Sequence, residues 1–415
     1  MRRRSSGLWA LALTGLLASS AMGQGPEMSL LTSAFGSVVG QEFQEVPPQT
    51  GYLPGPLGHP RMENGGLFVA GEFLYMTQNI PLTHQRVASR GFLDLDGSIS
   101  GTPHTFLGSA NSALDVRELH RTAGTYVPGF NFVIGWRFDD GLVLSTSWMH
   151  LITARYSASA NLLQRGLQLG PNGADTFMFS PVYNFPVDFA GEKKNVGAGD
   201  NGATFGIWNA ASINQEIFAQ RFDRFDLLMA RVPIWQTECY RTYGLVGPQY
   251  IHLWQRFQWK SVSEDTSGNS AADDAATYSN IVSNNLYGLC IGSGNDWWLG
   301  ASPIGGFSVT LDGQIGLYWD FVKERAKYEL GDRTFAAQHA RNVNELVPGF
   351  QATLALWYYP WEAVQIKLGY DVMGFFNTVS SPKPIDFNFG SINPKFRDGT
   401  FNFINGLTFG VGLTF

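Results

Sequence analysis

The chain has 415 residues, of which 15% are charged and 14% aromatic, with 48 glycines and a formal net charge of −6. The charged fraction is well below the roughly 25% of soluble proteins, and the acidic balance argues against a nucleic-acid partner, which rewards clustered Lys and Arg. A mean hydropathy of −0.07, with no second run approaching about 20 apolar residues, argues against a polytopic helical membrane protein.

At the start, Arg2, Arg3 and Arg4 precede an apolar run from Leu8 to Leu17, and Ala21-Met22-Gly23 supplies small residues before Gln24. This is the pattern of a secretory signal peptide over residues 1–23. The run is too short to span a membrane comfortably. Its removal takes three of the 28 basic residues and no acids, leaving 25 basic against 34 acidic, a net of −9. Residues 24–63, which include QEVPPQTGYLPGPLGHP, are dense in Pro, Gly and Gln without periodicity. They read as a disordered periplasmic linker.

Residues 64–415 read as one domain built on alternation. GLFVAGEFLYM opens it, with Phe68, Leu74 and Met76 off the pattern. A hairpin follows. Phe130, Phe132, Ile134, Trp136 and Phe138 share one face, against Asn131, Gly135 and Arg137, with Val133 the exception. Asp139-Asp140-Gly141 is a short turn, and Leu142, Leu144, Thr146, Trp148 and His150 alternate on the return arm. LVGPQYIHLWQRFQW is another long strand candidate. In GFSVTLDGQIGLYWDF one face holds Phe307, Val309, Leu311, Ile315, Leu317, Trp319 and Phe321; the other holds Ser308, Thr310, Asp312, Gln314 and Asp320. Around a turn at Pro360, Phe350 to Tyr358 and Val364 to Val372 keep the same rhythm, with Gln351, Gln365, Lys367 and Asp371 on the polar side. The chain closes with Leu407, Phe409, Val411, Leu413 and Phe415 opposite Thr408, Gly410, Gly412 and Thr414.

Several of these runs exceed ten residues, the length of a membrane-crossing strand. One face is apolar and the other carries small and neutral polar groups, as a wet lumen would. Short turns alternate with long Gly-, Asn- and Pro-rich stretches at about 157–203, 260–280 and 377–400. Aromatics gather at strand ends, notably Trp297, Trp298, Trp357, Tyr358, Tyr359 and Trp361. The expected fold is therefore an all-β, transmembrane, antiparallel up-and-down β-barrel of about 12 strands, within a range of about 8 to 16.

Catalytic and metal signatures are missing. Seven histidines are scattered without a zinc-binding spacing, and IGSGN is not a nucleophile elbow. DLDGS at Asp94 to Ser98 falls short of a calcium loop, with Ser98 and Thr105 where ligands would stand, and reads as a turn. Cys239 and Cys290 allow one disulfide or two free thiols. No enzyme, cofactor or metal is expected.

EFLYMT, GWRFDDG with the W-M-H after it, LVGPQYIHLWQRFQW, NNLYGLCIG and GYDVMG together resemble the beta-barrel porin-7 family of planctomycete outer-membrane proteins, over about Gly65 to Phe415. The resemblance implies an outer-membrane barrel and carries over no site residues. The expectation is a porin-like channel for passive diffusion of small solutes. The alternative is a non-conducting structural or adhesive barrel acting through its long external loops. The lumen-lining candidates are Asn131, Arg137, Asp312, Gln314, Asp320, Gln351, Gln365, Lys367 and Asp371. Expected partners are outer-membrane lipid and the barrel-assembly machinery, which would read the terminal Phe415. A homo-oligomer is compatible with the class and not required by the sequence.

Overall fold

The computed structural model describes residues 66–79, 86–94, 101–103, 105–115, 126–161, 176–179, 194–195, 204–205, 213–237, 239–262, 270–302, 304–333, 336–361, 363–381 and 399–415. The signal peptide, the linker and most of the DLDGS turn lie outside these residues. In chain order the strands are β1 (Gly66–Gln78), β2 (Arg86–Asp94), β3 (Thr105–Asp115), β4 (Tyr126–Arg137), β5 (Val143–Asn161), β6 (Thr176–Phe179), β7 (Lys194–Asn195), β8 (Thr204–Phe205), β9 (Ile213–Gln236), β10 (Tyr240–Val262), β11 (Ala275–Ser302), β12 (Gly305–Leu330), β13 (Ala336–Trp361), β14 (Val364–Thr378) and β15 (Thr400–Thr414).

Ten of them close a barrel in the order β1-β4-β5-β9-β10-β11-β12-β13-β14-β15, and β15 pairs back on β1. Every pairing is antiparallel and, apart from the closing β15–β1 pair, joins barrel strands that are consecutive in the chain, so the topology is up-and-down. Closure leaves no unpaired edge. Between barrel strands, β2, β3 and β6 form a small three-stranded sheet, and β7 pairs with β8. Ten is two fewer than the expected count, because the strands are longer than their sequence patterns suggested. β11 has 28 residues and β12 and β13 have 26 each. β10 runs on to Val262 and β11 begins at Ala275, which shortens the acidic loop expected over 260–280.

Four of the five shortest connections lie at one end. The connections β4–β5, β9–β10, β11–β12 and β13–β14, of two to five residues, lie there, and the other end carries β1–β4, β5–β9, β10–β11, β12–β13 and β14–β15, of which only β12–β13 is as short as five residues. In the first turn Gly141 has φ +85 and donates to Phe138 O at 3.0 Å, while Asp140 Oδ1 accepts from Leu142 N at 2.9 Å. The left-handed conformation is what requires glycine there.

The exterior changes from apolar to charged along the barrel's height, while the interior gains apolar groups among its polar ones. Near the tight turns β12 points Leu311, Ile315, Leu317, Trp319 and Phe321 outward into exposed positions and keeps Ser308 and Thr310 buried inside. Above Phe321 the same strand faces outward with Lys323, Arg325 and Lys327 and inward with Val322, Glu324, Ala326 and Tyr328. β10 behaves alike, with Ile251, Leu253, Phe257 and Trp259 fully buried. The lower part is dressed for an apolar solvent and the upper part for water. A 26-residue strand rises about 86 Å at roughly 3.3 Å per residue. Even with the usual barrel tilt that exceeds the thickness of a bilayer core.

The boundary between the two parts is a ring of aromatics. Phe130, Trp148, Phe225, Tyr250, Tyr287 and Phe321, from β4, β5 and β9 to β12, follow one another with centroids 4.7–6.0 Å apart. Phe350, Phe376 and Phe401 continue it on β13 to β15, and Tyr75 stacks on Tyr126 at 5.2 Å on β1 and β4. Near the tight turns lies a second set, in which Trp235 meets Tyr240 and Tyr240 meets Trp297, with Trp361 and Phe415 well exposed. Two girdles flanking an apolar band are the physical signature of a bilayer-facing surface.

β15 explains its own composition. Leu407, Phe409, Val411 and Leu413 lie on the exterior, and Thr408 and Thr414 are buried inside. A Cβ on Gly410 would stand 2.8 Å from Glu72 Cγ, and one on Gly406 would stand 2.5 Å from Met76 Cα. The small face makes room for the Glu72 side chain at Gly410 and for the β1 backbone at Gly406. Gly410→Leu is therefore expected to destabilise the barrel by about 1–3 kcal/mol through overpacking. A lower midpoint in a heat-dependent gel-migration series would show it; an unchanged midpoint would mean that the space is not filled.

Candidate functional site

The barrel interior holds the candidate site, because alternation aims every second side chain of ten strands into it. All nine lumen-lining candidates sit on the inward parity of their strands. Asn131, Asp312, Gln314, Gln351, Lys367 and Asp371 border one polar cavity of about 110 Å³. Arg137, Asp320 and Gln365 are buried elsewhere in the wall lining.

Two charged clusters surround the cavity. In one, Lys367 Nζ of β14 lies 2.7 Å from Glu72 Oε1 of β1, and Asn131 Nδ2 donates to Glu72 Oε2 at 2.8 Å. In the other, Arg231 of β9 reaches Asp312 of β12 at 3.1 Å and donates to Tyr243 OH at 3.0 Å, while Tyr243 OH donates to Asp312 at 2.5 Å. A third group crosses the lumen between them. Arg224 lies 3.4 Å from Asp226 and donates to Gln351 Oε1 of β13 at 3.0 Å. Ser147 and Gln249 both donate to Asp226 at 2.5 Å, and Gln249 Oε1 accepts from Gln351 and Tyr318, each at 2.6 Å. Buried charges paired and hydrogen-bonded in this way avoid the desolvation penalty that a lone ion would carry. Asn131 Oδ1 and Gln314 Oε1 have no hydrogen-bond partner among the described residues. A cavity of this size and polarity has room for several waters to satisfy them.

An apolar plug shares the interior with this network. One connected cluster includes Leu74 and Met76 of β1, Met149 and Leu151 of β5, Phe222 and Met229 of β9, and Ile251 and Leu253 of β10. It continues through Leu286 of β11, Tyr318 of β12, Val347 of β13, Phe375 of β14 and Ile404 of β15, with Val127 of β4 packed against it. Every strand of the barrel contributes. Higher still, residues 379–381 leave β14 and fold inward. Val379 exchanges two 2.9 Å hydrogen bonds with the side chain of Asn284, Ser381 O accepts from Asn280 at 2.6 Å, and Gln255 Oε1 accepts from Ser380 and Ser381 at 3.0 and 3.1 Å. These partners stand on β10 and β11, so the segment bridges the lumen.

Sequence reasoning missed Glu72, Arg224, Asp226, Arg231 and Gln249. Glu72 sits in the opening run, whose alternation is broken by the inward Phe68, Leu74 and Met76. The β9 residues sit in a strand whose two faces both mix charge with aromatic groups. The two cysteines are free thiols, Cys239 exposed and Cys290 buried. Cys290 Sγ lies 3.2 Å from both Gln249 Oε1 and Tyr318 OH, inside the network. The scattered histidines gain one grouping, on the exterior. Asp223 lies 2.5 Å from His150, 3.5 Å from His252 and 3.3 Å from Arg221. No group of three or more His, Cys, Asp or Glu among the described residues is placed to hold a metal ion.

These features define a closed, antiparallel, up-and-down barrel of the outer-membrane type, with a filled interior. No family model matches the chain, and no curated protein does. Among solved structures it is similar to the outer-membrane protease OmpT of Escherichia coli, at 9% identity over 84% of this chain and 97% of that one, with a TM-score of 0.33. A FadL homologue of Pseudomonas aeruginosa matches at 9% identity over 85% and 90%, with a TM-score of 0.22. The outer-membrane channel DcaP of Acinetobacter baumannii matches at 10% identity over 85% and 96%, with a TM-score of 0.14. Likeness at this level carries no argument about activity.

Proposed function

We propose that this chain is a non-enzymatic outer-membrane barrel, shut to passive diffusion in this conformation, that acts through the parts standing above the bilayer. The observation that carries the reading is the apolar plug drawn from every barrel strand. Ions and small solutes cross a barrel along a continuous wet path, and a packed apolar layer offers none. The proposal keeps the resemblance to the porin-7 family and takes from it an outer-membrane location alone.

Membrane insertion has its own support in the apolar band between two aromatic girdles. It is tested by fractionation followed by a gel with and without boiling. The expected result is recovery only with detergent and a migration that changes on heating; extraction into plain buffer would refute it. Closure is tested by swelling of liposomes loaded with the folded protein in an isosmotic small sugar. No swelling above empty liposomes is expected, and rapid swelling would refute a shut barrel.

A gated channel is the second reading. The cavity lined by Glu72, Arg224, Asp226, Asp312, Lys367 and Asp371 favours it, since charged side chains around a wet space can select ions once a barrier moves.

A further inference from the structure

The exterior just above the upper aromatic ring is charged on one side only. Strand register places Arg155 of β5 opposite Ala219 of β9, Ala219 opposite Arg256 of β10, Arg256 opposite Ile281 of β11, and Ile281 opposite Arg325 of β12. One row of strand partners, which climbs gently across the tilted strands, thus carries an arginine on every second strand, about 10 Å apart at the usual strand spacing. The next row towards the ring reads Arg221, Trp254, Ser283 and Lys323 across β9 to β12. Arg221 lies over the Trp254 ring, 5.9 Å from its centroid. Arg155, Lys323 and Arg325 are exposed, and no ion pair holds them among the described residues. The acid of this surface, Asp223, is already engaged by His150, His252 and Arg221. The far side differs. Above the ring, the outward positions of β13 are Leu346, Asn344, Asn342, Ala340 and Gln338, and those of β1 and β14 include Thr77 and Asn377. The described outward positions there carry no Lys or Arg.

We propose that the β5–β12 side is a docking surface for phosphate-bearing anionic lipid headgroups of the leaflet on the long-connection side. The aromatic ring sets the depth, since Tyr and Trp settle at headgroup level. Five cations stand two to seven residues beyond the ring's aromatics along their strands, past the His150–Asp223–His252 row and on the water side where headgroup phosphates lie, and arginine matches phosphate oxygens bidentately. Trp254, Ile281 and Ser283 give the patch a floor of two apolar faces and one hydroxyl. The uncharged far side leaves the barrel with one lipid-selecting flank, so the bound lipids would form an arc and not a full annulus.

The inference rests on the membrane reading above, and its failure is separable from failure of that reading. The test uses the folded full chain in a non-ionic detergent, mixed with phosphatidylglycerol, phosphatidylcholine or inorganic phosphate, with bound molecules counted by native mass spectrometry. Phosphatidylglycerol is expected to be retained over phosphatidylcholine. Removing three cations in R155Q/R256Q/R325Q should weaken that retention on the order of 100-fold, at roughly fivefold per cation. The matching R155K/R256K/R325K chain should keep most of it. Arg155 and Arg325 are exposed and Arg256 is half-buried, donating to Gln258 Oε1, so heat-dependent migration is read on both variants to report that they fold. Equal retention of phosphatidylglycerol by the folded glutamine variant would overturn the docking surface alone. Displacement of the lipid by equimolar inorganic phosphate would overturn the lipid as occupant. A chain soluble without detergent would fail the membrane reading instead.

Discussion

Lys367→Met is expected to cost the folded barrel about 3–5 kcal/mol, the penalty for leaving a buried charge without its partner. Lys367 and Glu72 side chains are 13% and 6% exposed and 2.7 Å apart, and their strands are separated around the wall by β15 alone. With the ammonium gone, the Glu72 carboxylate keeps Asn131 as a neutral donor. The double variant E72Q/K367M should recover most of the loss, because the orphaned charge goes with its partner. Lys323→Met, on the exterior, should stay within about 0.5 kcal/mol. Urea midpoints read from heat-dependent migration in detergent measure all three. A single variant as stable as the parent would mean that the pair is solvated.

Phe222→Ala should have two effects. Phe222 is fully buried in the plug, with its ring 6.3 Å from that of Phe375. Truncating a buried Phe costs about 3–5 kcal/mol, part of it for the cavity left behind. The second effect is a leak. The void joins the apolar layer beside the polar network, so the F222A/F375A pair should let small ions through where the parent does not. A folded double variant that stays impermeable would show that the barrier lies elsewhere, with residues 379–381 the next place to look.

Much of this architecture was legible in the sequence, and its gaps have a physical cause. Where β4, β12, β14 and β15 cross the apolar band, the exterior must be apolar and the interior small or polar, so a period of two stands out. Asn131, Asp312, Lys367 and Asp371 follow directly from that alternation. Above the aromatic ring the solvent changes and the pattern changes with it. Lys323 and Arg325 point out while Val322 and Ala326 point in, and a reader expecting one rule for the whole strand stops too early. Strands read from the alternation alone are therefore too short, and about 12 of them exceed the ten that close the barrel. β9 suffers most. Phe218 and Phe222 face in, Arg221 and Asp223 face out, and Arg224 and Asp226 face in again. The plug was hidden for another reason: Leu74, Met76 and Met149 look like breaks in alternation until ten strands bring them to one place.

The central claim is that the lumen is shut by its own side chains. Single-channel recording on the purified, refolded full chain in a planar bilayer tests it most directly, with heat-dependent migration confirming that the inserted protein is folded. A shut lumen predicts a baseline indistinguishable from bare lipid across moderate voltages, with discrete steps appearing only in the F222A/F375A chain. Steady, stepwise conductance from the unaltered chain would contradict it.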